Sequence, residues 1–354
     1  MKKVVHIVGT GTIGEPLIGL FTDFCDRLGF EEVTFHKRTP LAFDRSKLNH
    51  LMSRGAKLAV DADQKSAFEA LGHEVSYEAQ EALQRATVVI DCTPAGNQNK
   101  EKYYQQLSGP KGFIAQGSEM GFGKPYARGV NDEALRPGED RFLQVVSCNT
   151  HNITTLIRTL CDDGEAGYCL DRGIFVCMRR ANDVSQTADF VAAPNVGKHD
   201  DEEFGTHHAH DAHRVFETLG LNLDLFSSAV KLNTQYMHSI WFNLNLRRDT
   251  TLDEVKQRLR ENPRVAVTDK RHANLIFSFG RDHGYYGRIL SQTVVVMPTL
   301  KVRRGREVYG FCFTPQDGNS LLSSIAAALW IDDPDYNSVG RRLEPIRRWL
   351  YREI

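Results

Sequence analysis

Apolar and polar positions alternate in blocks along the first 150 or so residues. Residues 4–8 form a short β-branched run, residues 13–28 carry apolar side chains at helical spacing, and residues 32–36 return to a strand pattern. Further apolar runs at 87–91, 112–116 and 142–146 are separated by helical, polar stretches. Strand and helix in alternation predict a parallel, doubly wound sheet.

Beyond residue 150 the pattern changes. Strand-like runs at 173–178, 226–232, 239–246, 264–268, 290–297 and 307–313 outnumber helices and predict a mostly antiparallel sheet. Thr251-Leu252-Asp253-Glu254 reads as a capping box opening a helix with Leu252, Val255 and Leu259 on one face, ended before Pro263. Residues 319–330 are strongly helical. Residues 340–353 put Leu343, Ile346 and Leu350 on one stripe, with arginines on an opposite, solvated face. The expected class is α/β, with an N-terminal Rossmann-type doubly wound parallel sheet over residues 1–147 and a second, α+β domain after it.

Composition narrows the function. The chain has 354 residues, 25% charged and 41% hydrophobic, with 44 basic against 45 acidic side chains and a formal charge of -1. That balance lacks the electrostatic footprint of a nucleic-acid binder. Nothing resembles a run of about 18 apolar residues, so no membrane span is expected, and the stretch ahead of Gly9 reads as a strand, not a signal peptide. Seven cysteines, an odd number without a CxxC pair, offer neither a disulfide frame nor a zinc site, which fits a reducing cytoplasm and no metal.

Candidate chemistry clusters at strand ends. Gly9-Thr10-Gly11-Thr12-Ile13-Gly14 follows the first strand and opens a helix, the setting in which a glycine turn lets backbone approach a pyrophosphate. Where an NAD-preferring protein carries an acidic residue, this chain reads His36-Lys37-Arg38-Thr39-Pro40, two cations and a hydroxyl suited to the 2′-phosphate of NADP. Asp91-Cys92-Thr93-Pro94-Ala95-Gly96 follows another strand and is expected to line the cofactor crevice. Ser147-Cys148-Asn149-Thr150 places a thiol at a predicted helix N-terminus, where the positive dipole end favours a nucleophilic thiolate. Bases for it are sought among His207, His208, His210, His213 and His238. The histidine-rich stretch 206–213 reads more simply as a polar helix start or an anion site than as a metal centre.

Taken in order, these segments together with Gln116-Gly117-Ser118-Glu119, Arg179-Arg180-Ala181 and the stretch from Ala229-Val230-Lys231 to Met237-His238 resemble the archaeal-type, or type II, glyceraldehyde-3-phosphate dehydrogenase family. The resemblance implies a catalytic domain over residues 148–314 and C-terminal helices over 315–354 that return to the dinucleotide-binding domain. It also implies assembly as a homotetramer. It makes Cys148 the nucleophile and His238 the base. Ser147, Asn149, Thr150, Arg179, Arg180, His207 and His208 fall at substrate or phosphate positions. The glycine turn with Thr12 and Ile13, the Lys37-Arg38-Thr39 turn, Thr93, Pro94, Gly96, Gln116, Gly117 and Asn319 fall at cofactor positions, Asn319 toward the nicotinamide amide.

Several segments depart from the family pattern. His151-Asn152-Ile153 replaces smaller residues after the nucleophile motif, Ala209-His210-Asp211 follows the His-His pair, and Thr234-Gln235-Tyr236 precedes Met237-His238. The expected activity is a phosphorylating, NADP-preferring aldehyde dehydrogenase of the glyceraldehyde-3-phosphate dehydrogenase type, with NAD as the other cofactor. Its partners are a small phosphorylated aldehyde and inorganic phosphate. The alternatives are a dehydrogenase for another phosphorylated sugar aldehyde or a semialdehyde and, from a different class, a non-catalytic NADP-binding redox sensor.

Overall fold

The computed structural model describes residues 2–117, 119–164, 167–183, 190–315 and 317–354, so Ser118 of the Gln116–Glu119 motif lies outside the described residues. Two compact units are formed. The first comprises Met1–Lys124, Leu135–Val145 and Ser323–Pro345; the second comprises Pro125–Ala134, Val146–Leu322 and Ile346–Ile354.

The first unit is built on an eight-stranded sheet. Its strands are β1 (Val4–Val8), β2 (Glu32–His36), β3 (Lys57–Val60), β4 (Tyr77–Glu78), β5 (Val88–Asp91), β6 (Gly112–Gln116), β7 (Lys124–Tyr126) and β8 (Phe142–Val145). They lie in the order β4-β3-β2-β1-β5-β6-β8-β7, and every pairing from β4 through β8 is parallel. Helices α1 (Gly14–Asp23), α2 (Arg45–Ser53), α3 (Lys65–Ala70), α4 (Ala79–Arg85) and α5 (Gly96–Lys102) alternate with these strands. Strands covered on both faces must be apolar throughout. Accordingly β1 and β5 are buried at every position, with Ile7 and Ile90 fully enclosed. The α/β class expected from the alternation is the class observed.

The second unit carries a mixed sheet. Its strands are β9 (Leu170–Arg179), β10 (Asn195–Val196), β11 (Leu225–Lys231), β12 (Ser239–Leu246), β13 (Val265–Thr268), β14 (Thr293–Val296), β15 (Lys301–Arg303) and β16 (Glu307–Phe313). The order is β10-β11-β9-β12-β16-β14-β13, with β15 on β16. Its pairings are antiparallel except β9–β11 and β13–β14. Among the described residues, helices α6 (Cys148–Cys161), α7 (His207–Glu217), α8 (Leu252–Glu261) and α9 (Ala273–His283) lie wholly in this unit. The expected capping box is present in half, since Thr251 accepts from the Glu254 amide while the Glu254 carboxylate turns to Thr250. Ile153, Leu156 and Leu160 of α6 pack with Phe175 and Phe242 in the core.

The chain closes with α10 (Gly318–Asp332) and α11 (Tyr336–Arg342). Two expectations are corrected. The helical pattern over 13–28 is helix only to Asp23, after which turns lead to Gly29 at φ +73. The stripe over 340–353 is not one helix, because Pro345 brings no amide hydrogen and the chain tightens into a 3-10 segment, Glu344–Trp349. Nor is Arg342 on a solvated face: its side chain is 14% exposed, pairs with Asp332 at 3.0 Å and donates to the Leu28 carbonyl. Among the described residues, no helix is long and apolar enough to cross a membrane.

Candidate functional site

In the first unit, Gly9 sits at φ +95 at the end of β1, a backbone conformation that a side chain would strain. A Cβ on Gly14 would lie 2.1 Å from the Gly9 carbonyl oxygen. Gly11 differs from both, because no atom stands within 4 Å of where its Cβ would be. The turn is therefore closed by Gly9 and Gly14 and left open at Gly11, the shape that a pyrophosphate passing close to backbone requires. Thr12 and Ile13 complete the turn, Ile13 standing just ahead of α1.

Around this turn the remaining predicted cofactor residues are unequally available. Lys37 is committed to Asp44 at 2.6 Å, and Lys47 reaches the same carboxylate at 3.0 Å. Arg38 and Thr39 are exposed. Thr93 is anchored through its amide and hydroxyl to the buried Asp91, which also accepts from Asn99 and Tyr104 and so shapes the turn containing Pro94 and Gly96. Gln116 spends its carboxamide on Ser324, whereas Gly117, at φ +71, has open space beside it. Sequence reasoning missed Asp44, whose pairing with Lys37 is set by the fold.

In the second unit, Cys148 is the first residue of α6, and Ser147 caps that helix, bonding Thr150 through both its amide and its hydroxyl. Asn149 accepts from the Thr314 hydroxyl, which in turn accepts from Asn152. Asn319 is fully buried and donates to the carbonyls of Cys148 (2.9 Å) and Gln292 (3.2 Å). Both of its amide hydrogens are thus spent on protein carbonyls, one of them that of Cys148.

The surroundings of the Cys148 thiol act against the low pKa expected for it. Burial pushes Cys148 up to about 12, the Asp317 carboxylate pushes the same way, and Arg180 only partly opposes them. Asp317, unnoticed in the sequence, is itself raised to about 6 by burial, against the pull of Arg288 and Arg180. It occupies the left-handed region at φ +66.

The register of β9 and β12 assembles the cationic part of the site. Ser239 lies opposite Met178, so the next positions bring His238 beside Arg179 and Arg180. The Arg180 amide donates to His238 Nδ1 over 2.9 Å. Burial and the two arginines hold His238 down at about 3, so the ring is neutral and carries its proton on Nε2. The expectation of a base at His238 meets a ring whose acceptor nitrogen is already occupied; in this geometry it is a donor.

Helix α7 begins at His207, preceded by Thr206, whose hydroxyl bonds Ser227 on β11. His207 and His208 lie ring to ring at 4.0 Å. His208 is 3% exposed, with no hydrogen-bond partner at either ring nitrogen. Burial lowers its pKa well below the ordinary value, with His207, Arg179 and His238 adding to the effect. The fold thus gathers Arg179, Arg180, His207, His208 and His238 into one group, with Arg180 also acting on Cys148. It draws His210 aside to Asp201 at 3.0 Å and His213 to the Leu223 carbonyl.

No protein-family model matches the chain. Among curated relatives, glyceraldehyde-3-phosphate dehydrogenase of Methanococcoides burtonii is 33% identical over 338 residues, covering 92% of this chain and 93% of the relative. The enzyme of the same name from Pyrobaculum calidifontis is 27% identical over 321 residues, covering 86% and 85%. Glyceraldehyde-3-phosphate dehydrogenase 1 of Methanosarcina barkeri is 28% identical over 285 residues, covering 80% and 79%. With one-third identity sustained across nearly the full length of both chains, this protein belongs to the archaeal glyceraldehyde-3-phosphate dehydrogenase family.

Proposed function

We propose that the chain is an NADP-preferring, phosphorylating dehydrogenase of glyceraldehyde 3-phosphate or a close phosphorylated aldehyde, working through a Cys148 thioester. The observation that carries this reading is the gathering of Arg179, Arg180, His207, His208 and His238, with Arg180 also acting on Cys148, in a chain of this family. A cluster of two guanidinium groups and unpartnered imidazole nitrogens suits a phosphate dianion.

The open face at Gly11 and the exposed Arg38 and Thr39 fit a dinucleotide with a 2′-phosphate. Held there, the nicotinamide supplies the hydride acceptor. The Cys148 thiol passes its proton to solvent water as its sulfur bonds the aldehyde carbon, while His238 Nε2–H donates to the oxygen that takes up negative charge. Loss of hydride from that carbon leaves the Cys148 thioester. A phosphate oxygen, oriented by the arginines and His207-His208, then bonds the acyl carbon as the carbon–sulfur bond breaks, returning the thiolate and releasing an acyl phosphate. The reverse sequence reduces an acyl phosphate.

The test is NADPH formation from glyceraldehyde 3-phosphate with and without inorganic phosphate. Phosphate-dependent turnover that vanishes in Cys148→Ser is expected. Turnover indifferent to phosphate would overturn the phosphorylating mechanism, and activity surviving in Cys148→Ser would overturn the thioester.

A further inference from the structure

Helix α6 begins with one thiol, Cys148, and ends with another, Cys161, about 20 Å further along its axis at about 1.5 Å per residue. The chain then folds back so that Asp162 and Tyr168 form an antiparallel bridge. Two backbone hydrogen bonds flank that bridge. The Asp163 amide donates to the Gly167 carbonyl over 2.9 Å, and the Cys169 amide donates to the Cys161 carbonyl over 2.8 Å. Cys161 and Cys169 are therefore directly opposed.

Opposed residues of an antiparallel pair stand about 4.5–5.5 Å apart at Cα, with their side chains on one face. That spacing lies within the window of about 4.4–6.8 Å that a disulfide spans without backbone movement. Both side chains enter the same core cluster, and the two thiols hydrogen-bond each other. Cys177 and Cys312 make a useful contrast. They face Ile240 from opposite sides of β12, two strand spacings or about 9.5 Å apart, beyond the reach of a disulfide.

The two opposed thiols are not equivalent. Cys161 is fully enclosed, whereas Cys169 keeps 8% of its surface exposed. The hydrogen bond from Cys161 lowers the Cys169 pKa from its ordinary value; burial and Asp163 oppose that effect, and Arg248 adds to it. Burial holds Cys161 well above the ordinary value. A thiol that reaches the surface, backed by a protonated one, is the arrangement of an attacking and a resolving cysteine.

We propose that Cys161 and Cys169 are a redox-active dithiol, a modification site apart from Cys148, which a small peroxide converts to a disulfide. The Cys169 sulfur bonds one peroxide oxygen as the O–O bond breaks, giving a sulfenic acid, and the departing hydroxide takes a proton from solvent. The Cys161 sulfur then bonds the Cys169 sulfur, and its proton leaves with the sulfenic oxygen as water. Two thiols are oxidised, one peroxide is reduced and two waters are released. The new bond pins the last residue of α6 to the residue ahead of β9, joining the helix that starts at Cys148 to the strand that ends at Arg179. None of these steps involves Cys148 or a dinucleotide.

The experiment treats the full folded chain with hydrogen peroxide, blocks the remaining thiols with iodoacetamide and maps the peptides by mass spectrometry without reduction. A linked pair of peptides holding Cys161 and Cys169, lighter by two hydrogens and separated by dithiothreitol, is expected. The oxidised chain should also melt a few degrees higher than the reduced one, because the crosslink restricts the unfolded chain. In Cys161→Ser, where no resolving thiol remains, dimedone should label Cys169; in Cys169→Ser, Cys161 should stay unlabelled. Melting curves report whether each variant is folded, and where one is not, the peptide map of the unmodified chain decides. Cysteines 161 and 169 that stay reduced at peroxide doses sufficient to oxidise Cys148, or a link that forms only in denaturant, overturns the proposal.

Discussion

The Arg180 amide donates to His238 Nδ1 over 2.9 Å, which fixes the imidazole proton on Nε2. Nitrogen-15 spectra of histidine-labelled protein should show that tautomer; a proton on Nδ1 would refute the assignment. His238→Ala should lower turnover by about 10²–10⁴, the usual contribution of a positioned proton-transfer group. His238→Gln, whose amide reaches the Nε2 position as a donor, should recover part of that loss. If glutamine is no better than alanine, donation is not what the ring supplies.

Cys148 should alkylate slowly at neutral pH for a partly exposed thiol. Burial is the main cause, and the Asp317 carboxylate adds to it. Asp317→Asn removes that negative charge, so the pH–rate profile for iodoacetamide should move to lower pH. An unmoved profile would mean that the carboxylate does not act on the sulfur.

Arg38 and Lys37 should not contribute equally to NADP affinity. Arg38 is exposed, whereas Lys37 is tied to the buried Asp44. Removing a charge-assisted contact to phosphate costs about 1.5–3 kcal/mol, so Arg38→Ala should weaken NADP by about tenfold or more and leave NAD nearly unchanged. Lys37→Ala should also lower protein stability, because Asp44 then keeps only Lys47. Equal loss of NAD and NADP in Arg38→Ala would defeat the 2′-phosphate assignment.

Acid should destabilise the protein above the pH range of ordinary carboxylates. Burial lowers His6 to about 3, His151 to about 4 and His238 to about 3, all from 6.5. Between pH 6.5 and about 4 these rings take up protons only on unfolding, so stability falls as pH falls, by about 1.4 kcal/mol per pH unit for each. Asp317, raised to about 6 from 3.8, works in the opposite sense over that window and offsets part of the loss. Urea unfolding at several pH values should show a slope shallower by about one histidine's share in His6→Leu. Parallel slopes would show that His6 is not held neutral.

Much of the fold is legible in the chain because its determinants are local. The β-branched run at residues 4–8, the glycine turn after it and the Ser147 cap each specify structure within a few positions. The site is legible only in its membership. Which strand ends meet was readable from motifs, but the protonation states were not. The Cys148 thiol is governed first by its burial and then by Asp317, the His238 tautomer by the Arg180 amide, and the Lys37 charge by Asp44. Each is a long-range or backbone effect that the spacing of motifs does not encode. The C-terminal stripe misleads for a local reason, since one proline interrupts an otherwise helical pattern.

Asn319 reaches back 171 residues to hold the Cys148 carbonyl. During synthesis Cys148 therefore leaves the ribosome long before the side chain that fixes its backbone, and His238 follows it at an intermediate point. A nascent or C-terminally truncated chain carries the cysteine without its working surroundings. A chain interrupted before Asn319 holds a cysteine whose backbone lacks that anchor.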